Sequence, residues 1–168
     1  MNLQIKNDIT LNVNSGVLTQ IYTQLFSSMS DFYGVLIGSV KDITNKRAMD
    51  NDSNFERITH IINICFVIFI HDKRYLESDK LKAVIEKIQK KYKNTENEIL
   101  GILSARSYSY SNLSFKEQNL YKKVQQCLDS QLPLIFGVFT NNNPEITEIN
   151  SLKSIELATR FFKLDNNK

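Results

Sequence analysis

A chain of 168 residues, 42% of them hydrophobic, can bury one proper core and is too short for two ordinary domains, so residues 1–168 are expected to form a single domain. Its 21 basic and 18 acidic residues are interspersed and leave a formal charge of +3, which offers no strong field to nucleic acid or to an anionic membrane. Cys65 and Cys127 lie inside apolar periodic segments and no charged leader with an apolar stretch opens the chain, so an intracellular protein of the cytoplasm or nucleus with reduced, buried thiols is expected. Sequons at Asn51 and Asn112 matter only in a secreted chain. The apolar run from Ile58 to Ile70 contains Thr59, His60 and Asn63 and is too short to span a bilayer.

Leu3, Ile5, Ile9, Leu11 and Val13 occupy odd positions between mostly polar residues, the period-two pattern of a half-buried strand. Asn14 or Ser15 can then cap a helix carrying Val17, Leu18, Ile21, Tyr22, Leu25, Phe26 and Met29. Those apolar residues spread over about half of the helix circumference, wider than the usual ~100° stripe, so the helix is expected to be covered on more than one side. Tyr33 to Val40 reads as a short apolar strand with Gly34 and Gly38. A polar stretch from Lys41 to Asn54 separates it from a longer strand centred on Ile61 to Ile70.

Leu81, Val84, Ile85, Ile88 and Tyr92 recur at helical spacing behind a Ser78 cap, with Glu86 and Lys90 placed as a supportive i,i+4 pair. Ile99 to Leu103 is another apolar strand, followed by a polar loop from Ser104 to Asn112. Ser114 and Glu117 then form an S-x-x-E capping box opening a third helix, whose buried face holds Phe115, Leu120, Tyr121, Val124, Cys127 and Leu128. Pro133 introduces a strand from Leu134 to Thr140, Asn141 to Asn143 is a turn, and Ile155 to Leu164 is a last strand before a frayed polar tail. The expected order is β-α-β-β-α-β-α-β-β, without an internal repeat.

The strand G-V-L-I-G (Gly34 to Gly38) after the first helix, the later strand reaching Gly101-Ile102-Leu103 and the loop leading into S-F-K-E resemble the JAMM/MPN layout. That resemblance implies an α/β fold with a mixed central sheet and helices packed on both sides. In active members a Glu precedes the first strand, and the second strand runs into H-x-H, seven residues, Ser, two residues and Asp. Laid onto this chain without a gap, the Glu position is Tyr33, the two His positions are Ser104 and Arg106, the Ser is kept as Ser114, and the Asp position is Glu117. Two neutral imidazoles and a carboxylate hold Zn²⁺ with one position open for water, and the separate Glu takes that water's proton. Ser104 offers only a neutral hydroxyl. Arg106 would set a permanent charge beside a dication, a repulsion of roughly 3 kcal/mol or more per unit charge at ~5 Å and an effective dielectric of ~20. Tyr33 is no carboxylate base at neutral pH, Asp31 reads as turn chemistry, and Glu117 cannot hold a metal alone. No metal, no cofactor and no hydrolytic activity are therefore expected of this chain.

Other residues carry plainer readings. Ser114 with Glu117 is accounted for as a helix cap without any metal. His60 and His71 match no ligand spacing, and Cys127 belongs to an apolar stripe. Lys87, Lys90, Lys91 and Lys93 read as the solvated face and end of a helix.

The resemblance is closest to the Abraxas family, the MPN-minus scaffolds of BRISC and related BRCA-A deubiquitinase complexes. Gly34 to Lys41 (G-V-L-I-G-S-V-K) is similar to that family's G-F-L-L-G-E-V. Ser114 to Gln118 (S-F-K-E-Q) with Leu120-Tyr121-Lys122 is similar to its T-F-R-E or S-Y-R-E-Q followed by L-H-K, and Leu134 to Thr140 sits where the family has L-V-F-L-L. Arg at the second His position and Glu at the Asp position are themselves family traits, and S-x-x-E-Q leans toward the BRISC member. Ile102-Leu103-Ser104 departs from the family's W-Y and basic residue. Family members continue into a C-terminal coiled coil, so a fragment of a longer protein is expected. The resemblance implies a scaffold that forms a heterodimer with a zinc-dependent JAMM (MPN-plus) subunit cleaving lysine-63-linked ubiquitin chains, in a higher-order assembly with the full-length chain. Other readings are an MPN-minus subunit of the proteasome lid, signalosome or a translation initiation complex, or a hydrolase using Glu117 and a histidine as unconventional ligands. By the same resemblance the surplus apolar width of the first helix (Val17, Leu18, Ile21, Tyr22, Leu25 and Phe26) is expected to supply the partner-binding face, one edge packing on the domain's own sheet and the other meeting the partner, with Val17, Ile21 and Leu25 along one edge and Leu18, Tyr22, Phe26 and Met29 toward the other.

Overall fold

The computed structural model describes residues 4–28, 30–48, 54–76, 78–107, 114–128, 134–141 and 157–163. The readings placed on Leu3, Met29, the sequons, the loop beyond Ser107, Pro133, the turn at Asn142 and Asn143, Ile155 and the polar tail lie outside them. The chain runs β1 (Gln4–Val13), α1 (Ser15–Ser28), β2 (Phe32–Ala48), β3 (Asn54–Ile70), a 3-10 turn (Lys73–Leu76), α2 (Ser78–Tyr92), β4 (Glu98–Ser107), α3 (Phe115–Cys127), β5 (Ile135–Asn141) and β6 (Leu157–Lys163). The expected element order is the observed one, with the 3-10 turn added.

The strands form a six-stranded mixed sheet in the order β1-β3-β2-β4-β5-β6. β1 with β3 and β4 with β5 run parallel; β2 with β3, β2 with β4 and β5 with β6 run antiparallel. Side-chain alternation in β2 divides the core into two faces. Val35 and Ile37 point to one side, where Leu81, Ile85 and Ile88 of α2 and Leu120, Tyr121 and Val124 of α3 cover them. Leu36 points to the other, where Ile62, Leu103 and Phe139 meet Val17, Ile21 and Leu25 of α1. Helices thus pack on both sides of the sheet.

Local chemistry explains the helix boundaries. Asn14 starts α1: its side-chain oxygen accepts the Gly16 N–H at 2.8 Å, and its carbonyl accepts from Val17 and Leu18. α3 opens on the expected capping box, with the Ser114 hydroxyl accepting from the Glu117 N–H at 3.3 Å and the Glu117 carboxylate accepting from the Ser114 N–H at 2.7 Å. Tyr121 then ties α3 to the start of β5 by donating its hydroxyl to the Leu134 carbonyl at 2.8 Å.

Three strands are longer than hydrophobicity indicated. β2 and β3 are 17 residues each and stay paired from Tyr33↔Ile70 out to Ala48↔Asn54, through a stretch that reads as a polar linker. Lys41, Asp42 and Ile43 are exposed there, so backbone pairing and cross-strand contacts hold this part of the ladder. Asp42 and His60, directly opposite, are one such contact, at 2.7 Å. β4 likewise continues to Ser107, because β2 pairs with it as far as Ala105 and β5 carries the pairing on to Ser107. Gly38 and Gly101 mark where strands approach too closely for a side chain: a Cβ would stand 1.8 Å from the Asn63 carbonyl oxygen at Gly38 and 1.8 Å from that of Ile135 at Gly101. Gly38 adjoins a register shift against β3.

Candidate functional site

Three elements bring the degenerate zinc-site positions together. Tyr33, near the start of β2, pairs directly with Ser104 of β4. Period-two alternation puts Ser104 and Arg106 on the same face as the core residue Ile102, the face covered by α3. The capping box fixes the first turn of α3 so that Glu117 is turned inward, 1% exposed, with its Oε1 3.3 Å from Arg106 Nε. Tyr33, Ser104, Arg106, Ser114 and Glu117 therefore form one cluster, as the motif alignment requires.

The charges within the cluster neutralise each other. Arg106 is 16% exposed and Glu117 almost wholly buried, so the pair is shielded from water and salt. The contact is electrostatic and not an aligned hydrogen bond. Tyr33 is half-buried; burial first, then the neighbouring Glu117 and Asp31 carboxylates, push its phenol above the ordinary value of 10.0, against smaller opposing effects of Arg106 and Ser104. Ser104 lies against that phenol, but its buried Oγ makes no hydrogen bond of regular geometry. A neutral phenol, a hydroxyl and an internal ion pair activate no water at neutral pH.

Zinc does not fit this donor set. Glu117 is already held by the Ser114 N–H through one oxygen and faces the guanidinium with the other, and Ser104 and Arg106 supply no imidazole. A metal would have to displace a cation that the fold supplies from within. Among the described residues no three His, Cys, Asp or Glu side chains are grouped to hold a metal ion. His60 contacts Asp42, and His71 is exposed beside the Phe69 ring, 6.2 Å between centroids. The Arg106–Glu117 pairing escaped the motif reading, which treated Arg106 only as a charge hostile to zinc. Its signal was present in the sequence: two positions that in active members grip one ion are here a cation and an anion.

The family model for the BRCA1-A complex subunit Abraxas 1 MPN domain matches residues 13–163, nearly the whole chain and all five cluster positions. The chain belongs to the Abraxas MPN family. No curated protein matches it. Among solved structures, the solution structure of a Desulfitobacterium hafniense protein is similar at 13% identity and a TM-score of 0.48, covering 94% of this chain and 86% of that one. As an Abraxas-family MPN-minus domain, the chain keeps the α/β framework of a JAMM fold around a cluster that binds its own side chains.

The expected partner-binding face of this Abraxas-family domain divides along α1. Val17, Ile21 and Leu25 are 3%, 0% and 2% exposed against the domain's own sheet. They are core, which corrects their assignment to a partner-facing surface: a side chain already covered within the chain has no area left to give. Leu18 and Tyr22 lie half-buried at the rim, with Tyr22 edge-on to Phe139 at 5.9 Å between ring centroids. Phe26 is 40% exposed. The outward flank is therefore Leu18, Tyr22 and Phe26. Among the described residues no helix is long and apolar enough to cross a membrane.

Proposed function

We propose that this domain is a catalytically inactive scaffold that forms a heterodimer with a zinc-dependent JAMM deubiquitinase subunit and holds that subunit in its active arrangement, with lysine-63-linked ubiquitin chains as the substrate of the assembly. The observation that carries this reading is the Arg106–Glu117 ion pair, which places a resident guanidinium against the one carboxylate left in the degenerate zinc site. Membership of the Abraxas family supports it, since those MPN domains lack catalytic activity and work through protein contacts. The outward flank of α1, Leu18, Tyr22 and Phe26, is the surface proposed for the JAMM partner, and Phe26 is the side chain best placed to lose further surface to it. The assembly is proposed to work in the cytoplasm or nucleus, with the full-length chain continuing into a coiled coil.

The test is zinc content and cleavage of lysine-63-linked di-ubiquitin by the purified chain, by its JAMM partner and by the complex. The expected result is no stoichiometric zinc and no cleavage for this chain, and cleavage by the complex that survives removal of the Arg106 side chain wherever the complex still assembles. One zinc per chain, lost together with an isopeptidase activity of the isolated domain, would overturn the scaffold reading.

A further inference from the structure

β3 changes character part-way along. Up to Ile64 it lies between β1 and β2, but β1 ends at the pair Val13↔Ile64, where the chain turns into α1 with the Asn14 N–H donating to the Ile64 carbonyl at 3.1 Å. Beyond that point Cys65 to Ile70 is paired to β2 alone, and among the described residues nothing hydrogen-bonds its outer edge. The segment reads C-F-V-I-F-I, with no Lys, Pro or other device that natural sheets use to blunt an open edge. The open edge is also only partly covered by side chains. Residues 99–105 of β4 are all buried, whereas Cys65 to Phe69 are not, and Phe66 is 49% exposed.

Beside this edge lies an open groove of about 1070 Å³. Its lining includes Ile68 and Ile70 of β3, Val84 and Ile88 of α2 and Tyr75 of the 3-10 turn. Lys87, Lys90 and Lys91 of α2 line it, together with Lys80, which is already engaged, and the acidic side chain there, Asp72, is held by Arg74 at 2.7 Å. Among the described residues Lys87 and Lys90 form no ion pair, and Lys91 lies over the Tyr92 ring at 5.6 Å.

We infer that the Cys65–Ile70 edge and its groove form a docking site for an extended peptide segment of a partner protein, one that alternates apolar and acidic residues. Such a segment adds a strand to β3 through its backbone, sets alternate apolar side chains into the groove and brings carboxylates to its lysines. Six paired residues span about 20 Å. Charge complementarity selects this occupant over a second copy of the chain, because two copies paired edge to edge would bring their lysines together. The groove lies on the α2 side of the sheet, opposite α1, and the proposal does not depend on the scaffold reading.

The test uses the whole purified chain and a fluorescein-labelled octapeptide alternating valine and glutamate, followed by fluorescence anisotropy. Saturable binding is expected, weakening with added salt, and at least about tenfold weaker for a valine–lysine octapeptide. N-methylation of alternate amides on one edge of the peptide should abolish binding, while the same change on the other edge is tolerated. Lys87→Glu/Lys91→Glu and Phe66→Lys alter exposed side chains and should keep the circular dichroism spectrum while losing about tenfold or more in affinity. Equal binding of the two octapeptides, indifference to N-methylation on either edge, or wild-type affinity in both variants overturns the proposal. So does sedimentation of the chain alone as a dimer that Phe66→Lys dissociates, which would make a second copy the occupant.

Discussion

The polar cluster under α3 and the outward flank of α1 are built from opposite materials in opposite places. Tyr33, Ser104, Arg106 and Glu117 bring hydroxyls and charges into the interior, where the ion pair neutralises itself and the Glu117 carboxylate is 1% exposed. On α1 the reverse holds: Phe26 remains 40% exposed only one residue beyond Leu25, which is 2% exposed. In an active JAMM domain the polar cluster would be open to a metal and a water. Here it is closed by its own side chains, and the surface with unused binding capacity lies outside it, which is the arrangement expected when contacts have replaced chemistry.

The sharpest way to break this contrast is to put a charge on each side of the same helix. Ile21 is 0% exposed, so Ile21→Asp loses about 1.5–3 kcal/mol of apolar burial and adds several more for an unpaired carboxylate in the core. Against a total stability of roughly 5–15 kcal/mol, the chain should fail to fold, seen as loss of soluble protein and of the circular dichroism signal. Within the cluster, Arg106→Ala strips the cation from a buried carboxylate and should cost about 3–5 kcal/mol in urea denaturation. Arg106→Met/Glu117→Gln should recover most of the loss, because it removes both charges and keeps a side-chain oxygen for the Ser114 N–H; a double variant no more stable than Arg106→Ala would show that the pair is not the reason.

On the outward flank, Phe26→Asp should leave the fold intact and forfeit roughly 1.5–3 kcal/mol of partner binding, about ten- to hundredfold in affinity by pull-down or titration with the JAMM subunit. Wild-type binding by this variant would return the extra width of α1 to the rim of the core. The smallest effects are inside the cluster. Ser104→Ala removes a buried hydroxyl that lacks a regular hydrogen bond, so its stability should lie within about 0.5 kcal/mol of wild type. Tyr33 titrates higher in the folded state than unfolded, so the folded chain holds that proton more tightly. Stability from this group is fully present below the ordinary value of 10.0 and is lost as pH rises through the folded value. Tyr33→Phe should flatten the fall in melting temperature above that pH, and an unchanged slope would place the titration elsewhere.

Local pattern was enough for the helices, the element order and the degeneracy of the zinc site. The α3 capping box is written in four consecutive residues, and α2 announces its buried face by spacing, since both signals depend on neighbours within one or two turns; on α3 the same spacing misplaced Phe115, which is 76% exposed at the start of the helix. The same method cut β2 short at Val40 and ended β4 at Leu103, because it equates strands with apolar runs. Backbone pairing does not need apolar side chains: the Asp42↔His60 region is held by its partner strands in the open, Ser104 is a strand residue because β2 and β5 flank it, and Arg106 is one because β5 pairs with it.

Residue spacing gave the alternation of strands and helices, and the resemblance of short windows to the JAMM/MPN layout gave an α/β chain of that kind without its zinc ligands, since those are properties of single positions and short windows. Three things needed the folded chain. Arg106 and Glu117 meet only because β4 and α3 converge, and the Val17–Ile21–Leu25 edge of α1 is the inner one only because the sheet lies on that side. Cys65 to Ile70 is an open edge only because β1 stops at Val13. Each is a relation between segments distant in sequence, set by how the layers pack, and period and propensity are blind to which partner a face will find.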